Sequence, residues 1–272
     1  MLFTHLIFWL KIMNSKSGNI LKIKCPDGFA NQLRLSLAAN LLVEKKMADE
    51  AVQEWVLNNH NIVDFLKFFH PLPNVRFSKL MDEEDLIATQ SFEYMTRQLD
   101  VTSIVDLFNE AYGHLRLKND YKVIIQSFID KFEIGNCIGL HLRTGCKTAL
   151  LFSENGKGRS RPIPHGAIIK FLTTNDKKIF LATDNAETQD KFFNVFKERI
   201  VFFEKIKEGK EKFEGTYDEK KVVRFAGDMH TIADFYILQN CRYFIGSNES
   251  SFSLMINYIR NNESDYKIDG VL

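Results

Sequence analysis

Apolar runs that stop at polar residues and pass directly into helical periodicity recur along this chain, and that rhythm commits it to an α/β design. Asn19 to Cys25 alternate apolar and polar, and Pro26, Asp27 and Gly28 break the pattern. Leu33, Leu37 and Leu41 follow at four-residue spacing, which predicts a helix from about Gln32 to Lys46. The same order returns later. Asn136 to Leu142, Ile179 to Ala182 and Tyr243 to Ile245 read as buried strands, with helices over Glu187 to Lys197 and Thr231 to Asn240. A further helix opens at Ser250 to Ser253.

Between these clean stretches the pattern is weaker. Glu54 to Asn58 and Val75 to Phe77 read as short strands and Ile62 to Phe69 as a helix. Met81 to Asn119 is helical in composition without clear boundaries, and a helix is expected from Tyr121 to Phe132, ahead of a strand at Ile200 to Phe203. Ser153 to Pro164 is a basic loop, and Lys205 to Lys221, dominated by mixed charge, reads as a solvated surface excursion. At 272 residues the chain exceeds what one compact core needs, so two halves are expected, residues 1–120 and 121–272.

Composition narrows the partners. A formal charge of +1 gives no general attraction to nucleic acid or anionic membrane, and a small neutral-to-anionic ligand fits better. Leu2 to Leu10 is too short to span a membrane and lacks the flanks of a signal peptide. The four cysteines have no metal-ligand spacing, and Cys25, Cys137 and Cys241 sit in or beside apolar runs, as reduced buried thiols would. The sequons at Asn248 and Asn262 do not establish secretion. A soluble cytoplasmic protein with no membrane span, no nucleic-acid partner and no cofactor is expected.

In an open parallel sheet, ligands gather beyond the carboxyl ends of the strands. The residues there are Gly28 to Asn31, His141 to Arg143, Thr183 to Asp184 and Gly246 to Phe252. His141 and Arg143 share a strand face. Arg143 suits a phosphate, offering a charged planar fork, and equally suits an ion pair with a neighbouring loop carboxylate. The GSNESSF stretch places hydroxyls where a helix N-terminus favours anions, or where a serine simply caps it. Neither a P-loop nor a GxGxxG is present, and no Asp-x-Asp closes an apolar strand to bridge a metal and a diphosphate.

Four segments together carry a resemblance: GFANQLR at Gly28 to Arg34, IGLHLRTG at Ile138 to Gly145, IFLATD at Ile179 to Asp184, and ADFYILQNCRYFIGSNESSF at Ala233 to Phe252. In this order they resemble the protein O-fucosyltransferases, and more distantly the core alpha-1,6- and nodulation fucosyltransferases. The resemblance implies an α/β GT-B fold of two Rossmann-like domains facing a cleft, the first on the acceptor side and the second binding the nucleotide-sugar. It implies an inverting, metal-independent transfer of fucose from GDP-fucose to a glycan or protein hydroxyl. Arg143 matches the phosphate-gripping arginine, His141 the nucleotide-side histidine, and Asp234, beside Ala233, the acidic residue that reads guanine. Ser250, Ser251 and Phe252 match the loop at the diphosphate and sugar, and Asp184 joins this donor-binding set. Phe29 and Asn31 match an N-terminal loop that closes over the sugar.

Two positions depart from the pattern. Thr144 stands where the core and nodulation enzymes carry a second arginine, and Gly28 where the protein O-fucosyltransferases carry one. Asn31 is no base at neutral pH, which leaves Asp27 as the candidate or a base-free mechanism. Other GDP- or UDP-sugars, such as xylose or rhamnose, and a catalytically silent nucleotide- or glycan-binding protein are the alternatives.

Overall fold

The computed structural model describes residues 20–25, 28–57, 63–78, 87–88, 92–96, 99, 103–143, 165–203, 213–217, 220–224, 227–247 and 250–260. Leu2 to Leu10, Asp27, Thr144, Cys146, the loop from Ser153 to Pro164 and both sequon asparagines lie outside the described residues. The chain divides into two compact units, Met1–Lys118 and Asn119–Leu272.

The first unit is built on a four-stranded parallel sheet of order β3-β2-β1-β4, with β1 at Ile20–Cys25, β2 at Glu50–Trp55, β3 at Val75–Ser78 and β4 at Ile87–Ala88. Helix α1, Phe29–Glu44, connects β1 to β2 and is buried on nearly every side, including Leu33, Leu37, Ala38 and Leu41. It starts three residues before the predicted Gln32. Helices α2 (Phe65–Phe68), α3 (Phe92–Met95) and α4 (Ile104–Tyr112) complete the unit. Asp64 caps α2 by accepting from Leu66 N–H, and Ser103 caps α4 by accepting from Asp106 N–H.

Strand β2 lies four residues earlier than Glu54 to Asn58 would place it. Its parallel register sets Ile20 against Glu50 and Cys25 against Trp55, and the polar Gln53 is fully buried within it. Ser36 Oγ donates to Gln53 Oε1 at 2.6 Å, which makes that burial tolerable. The predicted helix over Ile62 to Phe69 shrinks to one turn. Phe69 instead bridges Leu117 in antiparallel fashion, and the rings of Phe65, Phe69, Phe77, Trp55 and Phe29 pack as one aromatic cluster.

The second unit repeats the design. Its parallel sheet has the order β10-β5-β6-β7, with β5 at Ile138–Leu142, β6 at Ile179–Thr183, β7 at Ile200–Val201 and β10 at Tyr243–Ile245. Every residue of β5 and β6 is buried, as central parallel strands covered on both faces require. The helices are α5 (Asn119–Phe132), α6 (His165–Thr173), α7 (Ala186–Phe196), α8 (Asp228–Asn240) and α9 (Ser251–Ile259). The core joins Leu140 and Leu142 with Ile168, Leu172, Leu181, Phe192 and Ile245.

Two elements differ from the sequence expectation. Helix α6 emerges directly after the basic loop, where Ile168 and Leu172, four residues apart, give it a buried face. Part of the mixed-charge stretch is an antiparallel hairpin, β8 (Phe213–Tyr217) with β9 (Lys220–Arg224), because the β-branched and aromatic residues Thr216, Tyr217, Val222 and Val223 supply strand propensity among the lysines. Cys25, Cys137 and Cys241 are buried free thiols, and burial pushes the Cys137 and Cys241 thiols up from their ordinary pKa.

Candidate functional site

Strand order locates the site in each unit. In the second unit the chain runs outward from β5 to β6 and β7, then returns to place β10 on the other side of β5. The direction of winding reverses between β5 and β10, and in open parallel sheets such a reversal is where ligands bind, in the crevice beyond the carboxyl ends of the strands. The residues there are His141 and Leu142 from β5 with Arg143 just past it, and Gly246, Ser247 and Ser250 between β10 and α9. The first unit has the equivalent reversal between β1 and β4, at the amino end of α1.

At the β5 end, His141 is buried at 8% exposure and Arg143 is partly exposed just past the strand. Leu142 opposes Thr183 in the parallel register, and this brings Arg143 level with Asp184. Arg143 Nε lies 3.9 Å from Asp184 Oδ2, a loose ion pair of two partly exposed side chains. His141 belongs to the same cluster. Burial pushes its pKa down, to about 3; the Asp184 carboxylate opposes that shift and the Arg143 guanidinium adds to it. The imidazole is therefore neutral throughout the physiological range.

Two serines weld the β10–α9 connection onto β5. Ser247 Oγ donates to the His141 carbonyl at 2.9 Å and accepts from Arg143 N–H at 2.8 Å, spanning Leu142 from both sides. Ser253 Oγ lies 2.6 Å from His141 Nδ1 and accepts from Ser247 N–H at 3.0 Å. Ser250, buried, is the N-cap of α9, its hydroxyl accepting from Ser253 N–H at 3.5 Å. Gly246 makes this approach feasible, since a β-carbon there would sit 2.7 Å from Ser253 Cβ.

The predicted residues divide as follows. The Phe252 ring lies tilted against His141, centroids 4.8 Å apart, and edge-on to Phe235 of α8 at 5.8 Å. Ser251, partly exposed, opens α9. Ala233 and Asp234 lie in the second turn of α8, with Ala233 buried and Asp234 partly exposed.

In the first unit, Gly28 is the N-cap of α1 in extended conformation, and Asn31 lies partly exposed in the first turn. Phe29 belongs to that turn, not to a loop, and its ring is buried 6.3 Å from Trp55 and 6.4 Å from Phe69.

Three residues of these sites were not singled out in the sequence: Ser247, Ser253 and Gln32. Gln32 is fully buried, and its side-chain amide clamps the backbone of Val56 twice, donating to the carbonyl and accepting from the N–H, both at 2.8 Å. This pins the amino end of α1 to the carboxyl end of β2. The signal for Ser247 and Ser253 was the density of small hydroxyl residues in GSNESSFS, which marks a close approach of backbone to backbone.

Chemically, the second crevice offers a guanidinium, a neutral imidazole, a carboxylate and a helix N-terminus with its unshared N–H groups, a set suited to a phosphorylated ligand. Among the described residues, no three His, Cys, Asp or Glu side chains gather as a metal-ligand set, and no helix is long and apolar enough to cross a membrane.

Comparison with solved structures identifies the architecture. The NodZ alpha-1,6-fucosyltransferase co-crystallized with GDP aligns with a TM-score of 0.54 at 15% identity, over 88% of this chain and 91% of that one. Fucosyltransferase NodZ from Bradyrhizobium gives 0.55 at 14% identity, over 87% and 91%. POFUT1 in complex with GDP gives 0.51 at 11% identity, over 92% and 97%. The fold is GT-B. The NodZ structures are named as fucosyltransferases, the kind of enzyme whose motifs the four sequence segments resemble. No protein-family model and no curated protein matches the sequence.

Proposed function

We propose that this chain is a glycosyltransferase that moves fucose from GDP-fucose to a hydroxyl of a glycan or protein, with inversion and without a metal ion. The observation that carries this reading is the gathering of Arg143, His141, Asp184 and the amino end of α9 at the β5–β10 reversal. The fold is shared with a NodZ structure soaked with GDP-fucose and a POFUT1 structure in complex with GDP.

On this reading residues 121–272 hold the donor. Arg143 and the N–H groups at Ser251 and Phe252 meet the diphosphate, where negative charge builds as the glycosidic bond to it breaks. His141 contacts the ribose–phosphate portion, and Asp184 holds the Arg143 fork in orientation. Asp234, with Ala233 beside it, reads the guanine, and Ser250 shapes the turn around the diphosphate.

Residues 1–120 serve the acceptor side. Asn31 orients the sugar or the incoming hydroxyl, and Phe29, with its ring buried, sets the direction of the turn that carries it. Asp27 is the candidate general base. Positive charge at the leaving group comes from the protein itself, as expected of a chain without an Asp-x-Asp at a strand end. The buried reduced thiols support a reducing, cytoplasmic setting.

The test is turnover of GDP-fucose in the presence of chelator, following GDP release and the anomeric configuration of the product. Release of GDP with β-linked donor converted to α-linked product supports the reading. Turnover of UDP-sugars alone, or dependence on a divalent ion, refutes it in the corresponding part.

A further inference from the structure

The contacts of Ser253 determine where the proton of His141 resides. Ser253 is fully buried, and its hydroxyl has one proton to donate. One lone pair of Oγ is taken by Ser247 N–H at 3.0 Å. The other contact is His141 Nδ1 at 2.6 Å.

Were Nδ1 protonated, Oγ would accept two hydrogens, and its own proton would have no acceptor among these contacts. A buried donor left without a partner is expensive relative to the bonded alternative. With the proton on Nε2 instead, every polar atom in the chain from Ser247 N–H through Ser253 Oγ to Nδ1 is satisfied. The ring has little freedom to choose otherwise. Phe252 lies against it at 4.8 Å, and Ser247 holds the His141 carbonyl at 2.9 Å. Because the two ring nitrogens point to opposite sides, turning Nδ1 into the first turn of α9 turns Nε2 away from it.

We propose that Ser253 is a positioning residue that fixes His141 as the neutral Nε2–H tautomer, so that the crevice presents a directed, uncharged hydrogen-bond donor to an oxygen of the bound nucleotide's ribose–phosphate portion. The proposal rests on the donor-site reading for the identity of the ligand, but not for the tautomer. A donor of this kind complements Arg143. The guanidinium supplies charge, and the imidazole selects an acceptor oxygen at one place without adding a second cation or depending on pH. Ser247 acts with Ser253, since its N–H already donates to Oγ and leaves the hydroxyl's own proton to be directed at Nδ1.

The experiment is nitrogen-15 NMR of histidine-labelled full-length protein without ligand, with the His141 signals among the 7 histidines assigned by their absence in His141→Gln. An imine-type Nδ1 and a pyrrole-type Nε2 are expected, unchanged between pH 5.5 and 8. A pyrrole-type Nδ1, or a titration in that range, overturns the proposal. In Ser253→Ala the two tautomers should mix, and the Kd for GDP should rise about tenfold; a pure Nε2–H tautomer with unaltered GDP affinity in that variant also overturns it. Failure of wild-type protein to bind GDP would count against the donor-site reading alone, because the tautomer is read on ligand-free protein.

Discussion

Arg143 Nε lies 3.9 Å from Asp184 Oδ2, at the ends of two neighbouring parallel strands whose register sets Leu142 against Thr183. This pairing gives Arg143 the neighbouring loop carboxylate that one of its two sequence readings expects. The distance is long, and both side chains are partly exposed.

Arg143→Ala should cost on the order of 1 kcal/mol of stability, since the Asp184 pair is long and only partly buried. The same variant should lose the thermal stabilisation that GDP confers on the wild type. Urea titrations with and without GDP check both parts; a large stability loss would assign Arg143 to the scaffold.

His141 makes stability depend on pH. Its folded-state pKa is depressed to about 3, so the unfolded chain binds more protons between that value and the ordinary histidine range. Its contribution is complete above about pH 6.5 and is lost as pH falls. Between pH 6.5 and 5 the loss should be on the order of 1–2 kcal/mol. His165 is shifted the same way, chiefly by burial and then by Lys191, so the comparison must be with His141→Gln, whose stability should fall less steeply over that range. Equal slopes would show that His141 is not the group responsible.

Gly246→Ala should be damaging out of proportion to one methyl group. The added carbon would meet Ser253 Cβ at 2.7 Å, Ser253 Oγ at 2.8 Å and Phe244 Cε1 at 2.9 Å. A loss of about 1–3 kcal/mol is expected, together with weaker GDP binding as Ser253 is displaced. Gly166→Ala, in α6 with nothing near the added carbon, is the control and should be neutral or stabilising by up to about 1 kcal/mol. Chemical denaturation of the two variants makes the comparison.

Gln32→Ala removes both hydrogen bonds to Val56. With the Val56 N–H and carbonyl left without these partners in a partly buried place, a cost of about 2–4 kcal/mol is expected. Hydrogen exchange should show the β2 end opening first, and unchanged protection at Val56 would contradict the clamp.

The elements that the sequence made legible are those whose apolar pattern is unbroken. Ile138 to Leu142 and Ile179 to Thr183 were visible because central strands need apolar residues on both faces, and Tyr243 to Ile245, at the end of the sheet order, because Phe244 and Ile245 are buried as well. Strand β2 was misplaced because Gln53 and Glu54 interrupt that pattern, and Gln53 is buried only by virtue of Ser36 and Gln32, partners that no local window reveals. In the site, Arg143, His141 and Phe252 stood out by chemistry and position. Ser247 and Ser253 did not, since their role is to join residues more than a hundred positions apart. That Phe29 is buried against Trp55 and Phe69 was equally hidden, because an aromatic at a helix start reads the same whether it faces a ligand or a core.

On the proposed function, the β5–β10 crevice holds a guanosine diphosphate sugar through Arg143. Calorimetric titration of wild-type protein and Arg143→Ala with GDP, GDP-fucose and UDP tests it most directly. GDP and GDP-fucose should bind the wild type at least about tenfold more tightly than UDP does, and Arg143→Ala should lose most of that affinity while remaining folded. Tighter binding of UDP, or GDP affinity unchanged by Arg143→Ala, would contradict it.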